Sequence, residues 1–419
     1  MKTIVINQRQ NEKVPFLRGI LVRSLLDAGL PFAEADKISS AIREQLIKTK
    51  TISSEDLQKL VVAQLQTLGD AESVEQYIFP SVAPSKVLVQ SLSDRLTAFS
   101  RGRLARNLQS AGVKTEKAEY ITELIYAQLI TFGIASISTC QLGYITYLCL
   151  LQEVGKKAAN RYLVWSEHQR GSTPLMLLVG GTIGAGKSTV ATELGHLLEI
   201  VRIQSTDMLR EVMRMMVPKR LLPILHTSSF NAWKTLPIQD KNERDWDQLV
   251  AEGYQSQAEL LTVPCEAVLQ RAVAESVPVI LEGVHVLPDL LDRVPANEAV
   301  IKVYVMLAVL RSKKLKNQLR GRGVKVPKRS AERYLDSFDS IWSLQSFLLS
   351  EADRCNVPII TAEDKRTVIQ QILQQVNLEL ARHYSGTPVD IFGSAAEGFE
   401  SGKNGIAWRD QVRSLDLRA

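Results

Sequence analysis

The residues best placed to do chemistry in this sequence stand in one short run, GTIGAGKST. There Gly181, Gly186, Lys187 and Ser188 satisfy the spacing Gly-x-x-x-x-Gly-Lys-Ser. An apolar run, LMLLVG, leads into it and an amphipathic one, VATELGHLL, leaves it. This is the strand, turn and helix that a phosphate-binding loop needs. Thr182, Ile183, Gly184, Ala185 and Thr189 complete the loop. Its backbone N–H groups converge on a β-phosphate, and the following helix adds the positive end of its dipole. Lys187 is expected to bridge the β- and γ-phosphates and Ser188 to ligate Mg²⁺, so ATP and Mg²⁺ are the expected cofactors.

Further apolar runs follow at α/β spacing: EIVRIQSTD, VPVILEGVHV, AVIKVYVML and NVPIITAED. Ligands in such sheets lie beyond the carboxyl ends of the strands. The first of these runs ends at Asp207, placed either to accept a proton from an attacking hydroxyl or to hold the water shell of the metal. The same residue could simply help cap the helix that follows. Arg210 and Arg214 lie one turn apart on that helix and suit a substrate phosphate or carboxylate, with solvated surface as the alternative. The second run closes on Glu282, as a Walker B strand closes on its acid, with a role on metal-bound water or on substrate. His285 follows it, either touching substrate or packing. His226 stands in LHTSSFNAWK, a polar stretch that reads as a substrate loop.

Between Arg311 and Arg329 there are nine basic residues and no acid. A run of this kind is a solvated or nucleic-acid-facing surface, or the lid of a mononucleotide kinase whose arginines neutralise the transferring phosphoryl group. Arg320 and Arg322, which flank a glycine, are the candidates for that catalytic role beside Lys187 and Asp207. No aromatic residue interleaves the run, so stacking on single-stranded nucleic acid is not expected.

Positioning these groups requires a parallel sheet covered by helices on both faces. The chain has 419 residues, 45% hydrophobic and 23% charged, enough for about three domains. Its net charge of +6 suggests anionic ligands and does not separate nucleic acid from small phosphates or acids. Four scattered cysteines without a Cys-x-x-Cys pair argue against a zinc site and for a reducing, cytoplasmic setting. No leader-like start or bilayer-length apolar stretch is present in the sequence, so no membrane association is expected.

The front of the chain repeats itself. Phe16, Arg18, Gly19 and Arg23 recur as Phe99, Arg101, Gly102 and Arg106, an offset of 83 residues. After Leu46 the offset becomes 85, placing Ile52 on Ile137 and Leu57 on Leu142. Each copy reads as a β segment followed by helices, with Leu21, Leu25 and Ala28, then Ile38, Ile42 and Leu46, at helical spacing. A β segment, Pro-Phe-x-Arg-Gly and a helical array resemble the ATP-cone, a small regulatory nucleotide-binding module. The resemblance implies nucleotide contacts from Arg18 and Arg23 in one copy and from Arg101 and Arg106 in the other. The second copy departs from the pattern with Ala98-Phe99 in place of Pro-Phe.

The runs GTIGAGKSTVA, STDMLREVMR, LHTSSFNAW and VILEGVHVLP together resemble the 2-phosphoglycerate kinase family. That resemblance implies an ATP-dependent transfer to 2-phosphoglycerate giving 2,3-bisphosphoglycerate, with an ATP-cone ahead of the kinase domain; the alternatives are a nucleotide-sensing regulatory protein that binds nucleic acid through the basic run, or a kinase of another phosphorylated polyol such as an inositol phosphate. The second repeat and Ile183, where serine is commoner, depart from the family pattern. The expected organisation is two small, mostly α ATP-cone-like domains, 1–82 and 83–165. A polar linker from Ser166 to Pro174 then leads into an α/β P-loop kinase domain over 174–384, which has a mononucleotide-kinase-like parallel sheet flanked by helices. A flexible tail over 385–419 completes the chain. The cones are expected to sense nucleotide or to mediate homo-oligomerisation.

Overall fold

The computed structural model describes the chain except for residues 1–2, 8–11, 28–29, 31, 48, 68–86, 238–244, 295–299, 326–330, 398–411 and 413–419. The element order repeats at the offsets read from the sequence. The first copy runs β1 (Ile4–Asn7), β2 (Glu12–Pro15), α1 (Arg18–Asp27), α2 (Phe32–Leu46), β3 (Thr51–Ser53) and α3 (Ser54–Thr67). The second runs β4 (Leu88–Gln90), β5 (Leu96–Ala98), α4 (Arg101–Ser110), α5 (Thr115–Thr131), β6 (Ser136–Ser138) and α6 (Thr139–Glu153). Each builds a three-stranded sheet with its first strand in the middle, ordered β2-β1-β3 and β5-β4-β6.

The chain divides into two compact units. One comprises Met1–Phe99, Ala127–Ile137 and Arg409–Ala419, the other Ser100–Tyr126 and Ser138–Trp408. In the first unit Leu21, Leu25, Ile38, Ile42 and Leu46 form the core with Val61 and Leu65, and Phe16 packs against it. Ala28 lies outside the described residues. Helical spacing put these side chains on one face, and burial of that face holds the small unit together.

The second unit contains α7 (Lys156–Arg170), β7 (Leu175–Gly181), α8 (Lys187–Leu197), β8 (Arg202–Ser205), α9 (Thr206–Met216), α10 (Trp246–Ala274), β9 (Val279–Gly283) and β10 (Ile301–Ala308). It continues with α11 (Ser312–Lys325), α12 (Ala331–Asp336), α13 (Phe338–Arg354), β11 (Ile359–Thr361), α14 (Lys365–His383), α15 (Pro388–Phe392) and α16 (Ser394–Glu397). Five strands form one sheet in the order β11-β10-β7-β9-β8, and all pair in parallel. Every residue of β7 and β9 is buried, as continuous apolar runs in a sheet covered on both faces require. The register sets Glu282 beside both Val179 and Ser205, so β7, β8 and β9 end together at one edge.

Two expectations change. The segment expected to be a linker from Ser166 is helical through Arg170. Its side chains grip the end of α14: Glu167 Oε2 accepts from the Gly386 backbone N–H at 2.8 Å, and His168 Nδ1 lies 3.3 Å from the Tyr384 hydroxyl. The stretch expected to be flexible from Ser385 is folded as far as Glu397. A capping box between Thr387 and Asp390 starts α15, and Phe392 packs tilted against Tyr144 with ring centroids 6.1 Å apart. Gly143 leaves the room this needs, because a Cβ there would stand 2.5 Å from the Phe392 ring. An apolar anchor outweighed a glycine- and serine-rich composition.

Candidate active site

The turn after β7 begins α8 at Gly186, which caps the helix from the left-handed region at φ 85°, a conformation glycine adopts without steric cost. Lys187 is buried at the start of α8. Its Nζ donates to the carbonyl of Thr182 at 2.9 Å, which holds the ammonium over the loop. Leu315 and Leu319 of α11 close on the loop from outside, and a Cβ on Gly184 would stand 2.8 Å from Leu315 Cδ1. The basic segment therefore starts as a helix packed against the glycine loop that follows β7. Arg320 is exposed on it and donates to Asn317 at 3.1 Å, while the side chain of Arg322 lies outside the described residues.

Ser188, one residue into α8, donates to Glu282 Oε1 at 2.9 Å. Glu282 is 5% exposed at the end of β9. A hydroxyl and a carboxylate in contact at a strand end are hard oxygen donors of the kind Mg²⁺ takes.

The next residue allows β8 and β9 to converge. Gly283 has φ 159°, and a Cβ on it would stand 1.8 Å from Thr206 Oγ1. Thr206 is buried as the first residue of α9. Its hydroxyl lies 3.3 Å from His285 Nδ1, and His285 Nε2 lies 2.9 Å from Gln257 Oε1. The Gln257 amide nitrogen donates to the carbonyls of Ile224 and Thr227, so its oxygen must face the histidine. Burial chiefly pushes the His285 pKa down to about 3, against the pull of the Asp207 charge. The ring is therefore neutral, with its proton on Nε2 donated to Gln257 and Nδ1 accepting from Thr206. Tyr254 stacks on it at a centroid distance of 6.0 Å.

Arg210 closes this ring of contacts by donating through Nη1 to the Thr227 carbonyl. Its side chain is 16% exposed, with Asp207 at 3.9 Å and Glu211 at 3.7 Å from Nη2. The structure thus gathers Lys187, Ser188, Asp207, Arg210, Glu282 and His285 at the end of the sheet. Arg214 pairs with Glu211 at 2.6 Å, and His226 Nε2 lies 2.8 Å from the carbonyl of Val217; the partners of both lie along their own stretch of chain. The sequence alone points to neither Gln257 nor Tyr254, and it places Thr206 only in the polar run that opens α9. Gln257 carried a signal, as a polar residue among Gly253, Tyr254, Ala258 and Leu261 on the buried face of α10.

In the repeats, Arg18 pairs with Asp36 at 2.7 Å and also bonds Ser40. Arg101 holds Glu123 through two bonds, at 3.0 and 3.2 Å, and lies over the Tyr126 ring. Arg106 Nε is buried without a partner among the described residues, and the side chain of Arg23 lies outside them.

No family model matches the chain. Curated relatives do. A 2-phosphoglycerate kinase of Methanopyrus kandleri is 35% identical over 286 residues, 68% of this chain and 85% of that protein. One from Pyrococcus horikoshii is 31% identical over 293 residues, 70% of this chain and 94% of that protein. One from Pyrococcus furiosus is 34% identical over 278 residues, 66% and 89% respectively. The chain belongs to the 2-phosphoglycerate kinase family. Its relatives leave about a third of this chain unmatched, so this family member carries more chain than they do. No helix among the described residues is long and apolar enough to cross a membrane.

Proposed function

We propose that this chain is an ATP-dependent kinase that phosphorylates the 3-hydroxyl of 2-phosphoglycerate, giving ADP and 2,3-bisphosphoglycerate. The observation that carries the reading is the meeting of Ser188 with Glu282 beneath the loop that holds Lys187, in a chain of this family. The loop N–H groups and Lys187 hold the triphosphate. Ser188 and Glu282 would hold Mg²⁺, Ser188 directly and Glu282 through water, and the ion would supply charge neutralisation to the triphosphate.

Asp207, exposed at the start of α9, orients the attacking hydroxyl and takes its proton as oxygen bonds to the γ-phosphorus and the bond to the ADP oxygen breaks. Arg210 holds the anionic acceptor. Arg320 and Arg322 offset transition-state charge from α11, and its closure excludes water. The repeats serve nucleotide sensing or assembly.

The test is ADP release with Mg·ATP, with and without 2-phosphoglycerate, the product being identified by phosphorus NMR and Lys187→Ala serving as the blank. Release that depends on 2-phosphoglycerate and yields the bisphosphate supports the reading. Release indifferent to it overturns the reading.

A further inference from the structure

Three buried polar atoms on α9 and in the stretch that follows it have no hydrogen-bond partner among the described residues: Arg210 Nε, Ser228 Oγ and Asn231 Oδ1. They are neighbours. Arg210 Nη1 donates to the carbonyl of Thr227, the residue before Ser228. The backbone N–H of Asn231 donates to the Ser228 carbonyl at 2.9 Å. Buried polar atoms in folded proteins are nearly always partnered, and leaving one unpartnered is destabilising. These three groups, on one arginine and one turn of chain, are left for a partner that the described residues do not supply.

The polarity of that ligand follows from the donors. Nε–H of Arg210 can only donate, and the Ser228 hydroxyl can donate or accept. Oxygen and nitrogen of an asparagine amide are assigned by their partners. Turning the Asn231 amide over lets its oxygen accept from Ser337 Oγ, which lies 3.4 Å from the amide now, and puts N–H where the unpaired oxygen now stands. All three groups then donate. Because Nη1 is committed to Thr227, Nε and Nη2 present the guanidinium edge that grips an oxyanion in two-point fashion. The carboxylates near Nη2 lie beyond hydrogen-bond length, Asp207 at 3.9 Å and Glu211 at 3.7 Å. Arg214 holds Glu211 at 2.6 Å from the other side. His285, neutral and bonded at both nitrogens, contributes no charge here.

We propose that Arg210, Ser228 and Asn231 form the subsite for an oxyanion of the phosphoryl acceptor, its carboxylate or its phosphate, with Ser228 and Asn231 as specificity-determining residues. This rests on the proposed kinase reading. Ser228→Ala is expected to raise the KM for 2-phosphoglycerate about tenfold, the scale of one hydrogen bond to a charged group. The KM for ATP stays within twofold, and Tm without substrate is unchanged or higher, because an orphaned hydroxyl is removed. A merely structural Ser228 gives the opposite pattern, a lower Tm and an unchanged KM.

Asn231→Asp places a negative charge against the anion and is expected to raise the same KM further. Unchanged acceptor KM in both variants overturns the inference. Competition by inorganic phosphate and by glycerate, each weakened in Ser228→Ala or not, tells which oxyanion is held. If the wild type does not consume 2-phosphoglycerate, the kinase reading falls by itself. The subsite is then read with Mg·ADP saturating, from the rise in Tm with inorganic phosphate. A rise lost in Ser228→Ala supports the subsite; an equal rise in both proteins, or none in the wild type, overturns it.

Discussion

Ser188 Oγ and Glu282 Oε1 lie 2.9 Å apart, joining the first turn of α8 to the end of the neighbouring strand β9. The contact depends on register, since β7 and β9 pair with Val179 opposite Glu282. Glu282→Gln keeps the size of the side chain and removes its charge. Its expected effect is a loss of about 10²–10³ in kcat, the scale of one preorganised electrostatic contact, with a higher Mg²⁺ concentration for half-maximal rate. Steady-state kinetics over a Mg²⁺ titration checks it; an unchanged Mg²⁺ dependence would remove Glu282 from the metal site.

Gly283 lets α9 approach the sheet, since any Cβ there would collide with the Thr206 hydroxyl. Gly283→Ala displaces Thr206, breaks its bond to His285 and shifts the helix carrying Asp207 and Arg210. A misplacement of about 1 Å costs on the order of 10²-fold in rate, so kcat should fall by that factor while nucleotide binding to the loop persists. Mant-ATP binding measured beside kcat separates the two.

The glycine turn between β7 and α8 and the strand ends were legible because their signals are local: a fixed glycine spacing, and apolar runs closing on one polar residue. Glu282 could be singled out for that reason, although its partner Ser188 is distant in sequence. The duplication was equally legible, down to the change of offset between α2 and β3. Thr206, Gln257 and Tyr254 were not, because their roles arise only when α9, α10 and β9 meet. His285 could be read as touching substrate or as packing, and only the folded chain shows both its nitrogens bonded to protein. The extension past Ser385 was misread because composition does not show that Phe392 has a seat against Tyr144.

His285 makes stability depend on pH. Its pKa is pushed down to about 3 by burial, while in the unfolded chain it titrates at its ordinary value of about 6.5. Below that value the unfolded chain binds a proton that the native fold refuses. The contribution is therefore complete above pH 6.5 and is lost as pH falls toward 3, at about 1.4 kcal/mol per pH unit. His285→Gln cannot titrate, so Tm should fall less between pH 7 and pH 5 in the variant than in the wild type. Parallel pH dependences would contradict the neutral, buried ring.

Ser110 ends α4 and secures the far end of α8. Its hydroxyl donates to the carbonyl of Leu197 at 2.7 Å, and Asn377 donates to the Ser110 carbonyl at 2.8 Å. All three residues belong to the larger unit. The last carbonyls of a helix have no partner within it, and here one is closed by a residue of the second repeat. Ser110→Ala leaves the Leu197 carbonyl buried and unpaired, at about 1–3 kcal/mol, which lowers Tm by about 2–5 °C in a unit of this size. Lys187, Ser188 and Glu282 lie at the opposite end of α8 from Leu197, so kcat at 25 °C should stay within twofold. A differential scanning trace beside an activity assay checks both. A loss of activity without a loss of stability would mean that the repeat acts on the phosphate loop through Ser110.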